Sequence, residues 1–109
     1  MNLLQKASDL LNEFIRVRER IGRNLNLILV CDAASGHLIL LLQGWQGKKF
    51  IHKTLLHWEV QNEQLWIWHR GVDYDFTSDF QKYNIAASSI KYGFLSEEER
   101  KLSATSHAS

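Results

Sequence analysis

The fold of this chain is decided by residues 50–69, which read FIHKTLLHWEVQNEQLWIWH. Two runs rich in apolar and aromatic residues, 50–60 and 65–69, are separated by the short polar stretch 61–64. Because so short a connection joins neighbouring strands that run in opposite directions, the segment predicts an antiparallel hairpin.

A two-residue turn at Asn62 and Glu63 determines which side chains of this hairpin share a face. The predicted cross-strand pairs are Val60 with Leu65, Glu59 with Trp66, Trp58 with Ile67, His57 with Trp68, and Leu56 with His69. Since side chains alternate along a strand, one face is the predicted core: Phe50, Leu56, Trp58, Val60, Leu65 and Ile67. The reverse face mixes apolar and charged residues, as interaction surfaces do: Lys53, Leu55, His57, Glu59, Trp66, Trp68 and Arg70. Glutamate is unusual at the positive φ of such a turn, and a slip by one residue would regroup the pairs.

Helical periodicity marks further segments. Apolar residues recur at intervals of three and four over residues 3–20, which predicts an amphipathic helix whose C-terminal end is suited by Arg18, Arg20 and Gly22. A second helix is predicted from Gly71 to about Asn84, on the spacing of Val72, Phe76, Phe80 and Tyr83. The capping-box spacing of Ser96 and Glu99 predicts a last helical turn.

The remaining strands complete the predicted architecture. Residues 25–31 and 37–43 flank a turn at 32–36 and form a second hairpin, and residues 90–92 form a short strand. The fold class is therefore α+β, with an N-terminal helix packed on a mainly antiparallel sheet of four or five strands and a second helix after the fourth strand. Residues 1–102 are predicted to form this single domain, and 103–109 a frayed polar tail.

Composition bounds the function. The chain has 109 residues, of which 45% are hydrophobic and 23% charged, as in an ordinary globular domain. A domain of this size leaves no spare volume for a deep pocket, so we expect no cofactor and no small-molecule substrate. The single cysteine, Cys31, excludes an internal disulfide framework and favours a reducing, cytoplasmic setting. No apolar stretch is long enough to span a membrane, and a net charge of +1 is too small for a dedicated nucleic-acid coat protein.

Catalytic and metal chemistry find little support in the sequence. His52 and His57 are an odd number apart on one strand and are predicted to point to opposite faces, so no metal site is expected. Cys31 is interpreted as an ordinary buried cysteine. The carboxylates after the hairpin are interpreted as a solvated helix face: Asp73, Asp75 and Asp79. We therefore predict a protein that is not an enzyme.

Two binding surfaces are the functional candidates instead, and simple core packing is the alternative interpretation of the aromatic and basic residues Trp45, Lys48, Lys49, Lys53, Trp66, Trp68 and Arg70. The first is the reverse face of the hairpin, where His57, Glu59, Trp66 and Trp68 are predicted to dock a protein partner or a second copy in a homo-oligomer. The alternative is direct DNA binding by residues 44–53, in which tryptophan could stack on bases and lysines could meet phosphates. The candidate residues for that alternative are Trp45, Lys48, Lys49 and Lys53.

The chain also resembles a known family through several short patterns. They are Gly44-Trp45 followed by Lys48, Lys49 and His52; His57 with Glu59; Leu65-Trp66-Ile67; Gly71; and Gly93-Phe94 with Arg100. These patterns are similar to those of the XisI-like proteins, controlling factors for excision of the fdxN DNA element in filamentous cyanobacteria, and the resemblance covers about residues 1–102. The chain departs from them where relatives typically have a proline pair, an Asp-Gly turn and a threonine: Ser96-Glu97, Asn62-Glu63 and Val72.

The resemblance implies an α+β fold and an accessory role in programmed DNA excision. The partners it implies are a companion called XisH, which is similar to nucleases, and a site-specific recombinase. It implies no known catalytic activity.

Overall fold

A computed structural model describes residues 2–18 and 24–96 of the chain. The elements in chain order are helix α1 (Leu3–Val17), strands β1 (Asn24–Asp32), β2 (His37–Gln46), β3 (Lys49–Gln61) and β4 (Gln64–Arg70), helix α2 (Thr77–Lys82), a 3₁₀ turn (Ala87–Ser89) and strand β5 (Ile90–Tyr92). The predicted α+β class is confirmed. Neither described helix is long and apolar enough to cross a membrane.

Helix α1 forms where the amphipathic pattern predicts it. The Asn2 side chain caps its first turn by accepting a hydrogen bond from the Gln5 backbone at 2.8 Å. Its apolar stripe is buried: Ala7, Leu10, Leu11 and Phe14. The helix ends at Val17, and Arg18 donates to the last-turn carbonyl of Phe14 at 3.3 Å. The predicted ending at Arg20 and Gly22 lies outside the described residues.

The five strands lie side by side in the order of the chain. Strands β1 to β4 are antiparallel, and β5 pairs in parallel with β4. Residues of α1 and α2 form one core with one face of this sheet. Trp58 is at the centre of that core, with its ring edge-on to Phe76 at 5.2 Å and tilted against Phe80 at 5.6 Å. Burial of these large rings is the main force that holds both helices on the sheet.

The predicted hairpin turn is confirmed. Asn62 and Glu63 both have positive φ, 52° and 60°, which is the geometry of a type I′ turn. Near the turn the register matches the prediction: Val60 with Leu65, Glu59 with Trp66, and Trp58 with Ile67. Beyond it, the register shifts at Trp68, so that His57 lies opposite His69 and Leu56 opposite Arg70. The predicted pairs of His57 with Trp68 and Leu56 with His69 are therefore wrong.

A second register shift lies at Leu55 in β3. Leu40 pairs with Leu56 but Leu41 with Thr54, so Leu55 is an extra residue and strand parity reverses on either side of it. Three predictions fail for this one reason. Leu55 is buried in the core, Phe50 is exposed on the reverse face, and Lys53 lies on the side of the sheet that carries the helices.

The same bulge also changes the histidines. His52 lies opposite Gln43 and His57 opposite Ile39, which are on one face of β2. The prediction that His52 and His57 point to opposite faces is therefore wrong. They remain four β2 positions apart, and His52 Nδ1 lies 3.1 Å from the Gln43 side-chain oxygen.

The second helix is shorter than predicted. It begins at Thr77, six residues after Gly71, because Asp75 ends the preceding loop by accepting from the backbone N of Thr77 at 2.9 Å. Asn84 follows the helix with φ 58°, the left-handed geometry common just after a helix C-terminus. The predicted last turn and tail lie outside the described residues beyond Ser96.

Contacts between the helices fix α2 against α1. Glu13 accepts hydrogen bonds from Lys82, at 2.6 Å, and from the Tyr83 hydroxyl. The hydrogen bond to Glu13 raises the pKa of Tyr83 to about 12, and the same contacts lower the pKa of Glu13. A short helix with no side-chain cap bond at its own N-cap residue is thus held by its packing and by these polar links.

Candidate docking face

One side of the sheet is turned away from the described helices, and we call it the open face. Strand alternation and the register place on it, among other side chains of β1 to β4, Ile28, Val30, His37, Ile39, Leu41, His57, Glu59, Trp66 and Trp68. None of these residues belongs to the buried core. Apolar residues lie toward β1, and a polar and aromatic group lies toward β4. The open face therefore combines apolar surface with groups that can form hydrogen bonds.

Two stacked indoles dominate the β4 side of the open face. The Trp66 and Trp68 rings are nearly parallel, with centroids 5.4 Å apart and planes 12° apart. Trp68 is 38% exposed and Trp66 is half-buried. Trp68 Nε1 donates to Glu59 Oε1 at 2.9 Å, which orients the ring across the neighbouring strand. The pair is a flat and preorganised aromatic platform.

Gly93 makes room for that platform. A Cβ at this position would lie 2.3 Å from Cε3 of Trp68, far inside van der Waals contact. The backbone N of Gly93 donates to the Ile67 carbonyl at 2.8 Å, so the chain itself cannot move aside without losing this bond. Next to it, the Arg70 guanidinium lies 5.3 Å from the centre of the Phe94 ring. The Gly-Phe pattern therefore has a steric reason in this chain.

A histidine pair occupies the middle of the open face. His37 Nδ1 and His57 Nε2 are 2.8 Å apart, so one ring donates a proton and the other accepts it. Glu59 Oε2 lies 3.6 Å from the remaining nitrogen of His37. The pKa of His57 is lowered, first by burial and then by the charge of His37, and Glu59 opposes this shift. The contacts among His37, His57 and Glu59 hold these three side chains in place, and Trp68 beside them remains exposed.

The structure places the four predicted docking residues together: His57, Glu59, Trp66 and Trp68. Sequence reasoning missed His37, which completes the polar group. The signal was present, since His37 begins the strand after the turn at 32–36, but its position opposite Glu59 depends on the pairing of β2 with β3. That pairing crosses the Leu55 bulge and could not be counted from the chain.

The alternative DNA-binding residues lie at the tip of the β2–β3 hairpin. Trp45 and Phe50 are each 51% exposed, and their rings meet edge to face at 5.1 Å. The register puts Lys49 opposite Gln46 and Lys53 opposite Leu42, on the other side of the ribbon from Trp45. The structure thus separates the aromatic side of the tip from two of its three lysines.

Gly44, at the base of this tip, is required by a close approach of two strands. Its φ is 143°, and a Cβ would lie 1.7 Å from the Asn24 carbonyl oxygen. Only glycine allows β1 to pair with β2 at this point. Within residues 2–18 and 24–96, no group of three or more histidine, cysteine, aspartate or glutamate side chains could hold a metal ion.

The remaining candidates from the sequence are the cysteine and the aspartates. Cys31 is exposed at the end of β1, so its interpretation as a buried cysteine is wrong. Asp79 accepts from the Tyr74 hydroxyl at 2.6 Å, and Asp75 caps α2. Asp75 and Asp79 thus anchor the loop before α2.

Fold and open face together define a class: a small α+β protein with helices on one side of its sheet and a binding-type surface on the other. The family model described as XisI protein matches residues 1–107. The chain belongs to the XisI family.

Two crystal structures from Anabaena variabilis share this fold. The fdxN element excision controlling factor XisI has 18% sequence identity and a TM-score of 0.69, over 89% of this chain and 93% of that chain. A XisI-like protein has 17% identity and a TM-score of 0.70, over 91% and 94% of the two chains. At these identities the likeness shows the fold alone. No curated protein matches the chain significantly.

Proposed function

We propose that this protein is a non-catalytic controlling factor in the excision of a DNA element, and that it acts by docking a protein on its open face. The proposed partner is a nuclease-like protein of the XisH type, in concert with a site-specific recombinase. The excision role is supported by membership of the XisI family and by the related Anabaena protein, an fdxN element excision controlling factor. The docking surface comes from the geometry of the open face.

The observation that carries the proposal is the stacked pair of Trp66 and Trp68 on the open face. Tryptophan is enriched at the centres of protein interfaces, because one rigid ring system provides much contact area and loses little conformational freedom on binding. The bond from Trp68 to Glu59 fixes the ring before a partner arrives. Because the order is already present in the free protein, less entropy is lost when the complex forms.

The polar group beside the platform provides specificity. His37 already contacts both His57 and Glu59, so a partner that covers this group leaves these contacts in place and loses less free energy to unpaired polar atoms. A partner offering a donor to the outer side of Glu59 would gain a charge-assisted contact in a site shielded from water. This arrangement suits an apolar, donor-bearing protein surface.

Binding of a purified XisH-type protein, from the genome that encodes this chain, tests the proposal by calorimetry. We expect the double variant Trp66→Ser/Trp68→Ser to weaken that binding at least about 30-fold, the loss of about 2 kcal/mol typical of an interface hot spot. The matched control is Trp45→Ser, which removes a more exposed indole from the hairpin tip, 51% against 38% for Trp68, and should leave the affinity unchanged. An unaltered affinity of a folded double variant would refute the proposal.

Direct DNA binding by the hairpin tip is the alternative, favoured by the exposed Trp45 and Phe50 rings beside Lys48. It predicts DNA affinity that falls steeply with salt and is lost in Lys48→Glu/Lys49→Glu. Binding of a DNA duplex by the wild type with these properties, together with no binding of the XisH-type protein, would replace the docking proposal by this one.

A further inference from the structure

Strand β1 forms one edge of the sheet. It pairs with β2 along all nine of its residues without a register shift, and no other described strand pairs with it. From Asn24 to Cys31 its sequence, NLNLILVC, contains no charge and no proline. Such an edge presents a regular row of backbone N–H and C=O groups that another strand can bond.

The other unpaired strand segments of the sheet are protected. The opposite edge, β5, has only three residues, one of them Lys91. The first half of β3 extends beyond β4 and carries Lys49 and Lys53. Short length and lysines are the usual means by which proteins prevent edge-to-edge pairing. Strand β1 has neither, although it is long, free of register shifts and rich in aliphatic residues.

Burial sets β1 apart as well. It contains six apolar residues, yet no residue of the strand is buried, whereas Leu38 and Leu40 of the adjoining β2 are completely buried. Ile28 is 37% exposed and Val30 is 46% exposed. In a monomer, this strand leaves apolar surface exposed to water, which costs free energy. Burial of that surface against another chain would remove the cost.

We infer that β1 pairs with β1 of a second copy of this chain, antiparallel about a twofold axis, to give one continuous ten-stranded sheet. Antiparallel pairing of a strand with itself is isologous, so the same edge serves both copies. With the axis at Ile28, the middle of the strand, Asp32 lies opposite the partner's Asn24 and no like charges meet. Because residues 24–31 carry no charge, a second copy of this strand can pair with the edge without charge repulsion. An unrelated strand need not meet this condition.

The dimensions agree with a dimer of modest strength. Nine residues of strand are about 30 Å long, and the sheet with α1 in contact with β1 is about 15 Å deep, so about 450 Å² of each chain is covered. The total of about 900 Å² is near the lower limit for specific interfaces, and the backbone hydrogen bonds of the ladder add to it. The dimer should therefore dissociate on dilution.

This inference does not rest on the proposed function. Edge pairing leaves the Trp66 and Trp68 platform of both copies uncovered, at opposite ends of the extended sheet. A dimer would present two docking faces and could bind two partner molecules at once.

Sedimentation velocity over a concentration series tests the inference. We expect the wild type to rise from the mass of one chain to twice that mass, and Ile28→Lys to stay at one, since two lysines would meet at the axis. The variant Ile28→Glu should also remain monomeric, while an equimolar mixture of the two should regain the double mass. Trp66→Ser/Trp68→Ser is the control and should dimerise like the wild type, whatever its effect on partner binding.

Hydrogen exchange of the wild type gives a second readout that needs no variant. Alternate amides of β1 should exchange at least about tenfold more slowly at high than at low protein concentration, while those of β3 and β4 remain unchanged. A wild type that is monomeric throughout, a dimer without added protection in β1, or a dimer lost in the tryptophan variant would overturn the inference.

Discussion

The two faces of the sheet use the same residue type for opposite purposes. On the face that carries the helices, Trp58 is 1% exposed and its ring lies among Phe76 and Phe80. On the open face, Trp66 and Trp68 stack on one another, and Trp68 donates a hydrogen bond to Glu59. Alternation of side chains along β3 and β4 alone separates these roles, so the hairpin is at once the centre of the core and the platform of the proposed site.

The largest expected effect comes from the same substitution on each face. Trp58→Ala should lower the free energy of unfolding by about 3–5 kcal/mol, because it removes a buried ring and leaves a cavity. Trp68→Ala should lower it by only about 1 kcal/mol, because the lost stacking is partly exposed to solvent. Urea unfolding monitored by circular dichroism measures both. Equal losses would mean that the open face is part of the core and would contradict the comparison.

A smaller effect should follow from filling the space beside the platform. Gly93→Ala places a methyl group where the Trp68 ring now lies, so the ring must shift, at a cost of about 1–3 kcal/mol in stability. The affinity for the docking partner should fall as well, since the stacked geometry is lost.

A double-mutant cycle separates this steric effect from any effect on the backbone. In a Trp68→Ala background, Gly93→Ala should cost less than about 0.5 kcal/mol, because the clashing ring is gone. A cost that persists in that background would place the requirement for glycine in the backbone rather than beside Trp68.

The sequence predicts the regular parts of this comparison. The short polar stretch 61–64 and the alternation around it were enough to predict the turn and the first pairs beyond it. The fold class and the order of elements followed from periodicity in the same way. These features depend on residues that are near each other in the chain.

The bulges could not be predicted because distant contacts fix them. The Leu55 carbonyl accepts from the backbone N of Gly71 at 2.7 Å, and His69 Nε2 lies 3.1 Å from the Thr54 carbonyl. These contacts between the middle of β3 and the end of β4 accompany the extra residue, and neither Leu55 nor Thr54 is a residue that marks a bulge. The faces of Phe50 and Lys53, and the approach of His37 to His57, follow from that one irregularity.

The smallest expected effect is a pH dependence that belongs to the open face. The pKa of His57 is lowered by burial and by His37 and His69, with Glu59 acting in the opposite sense. The unfolded chain, in which the histidine pKa is about 6.5, therefore binds more protons than the folded chain just below that pH. The contribution of neutral His57 is complete above the unfolded pKa and is lost as the pH falls through the folded one. Stability should thus fall slightly from about pH 7.5 to 5.5.

Replacing His57 by Gln should flatten this dependence, measured as the shift of the urea midpoint between the two pH values. His52→Gln is the matched control, because His52 is exposed on the same strand and bonds only to the Gln43 side chain among the described contacts. The carboxylates with lowered pKa, Glu13, Asp32 and Asp75, titrate below this window and do not interfere. If His57→Gln keeps the full pH dependence, the lowered pKa of His57 is not its origin, and the His37–His57 pair is not what gives the open face a pH dependence.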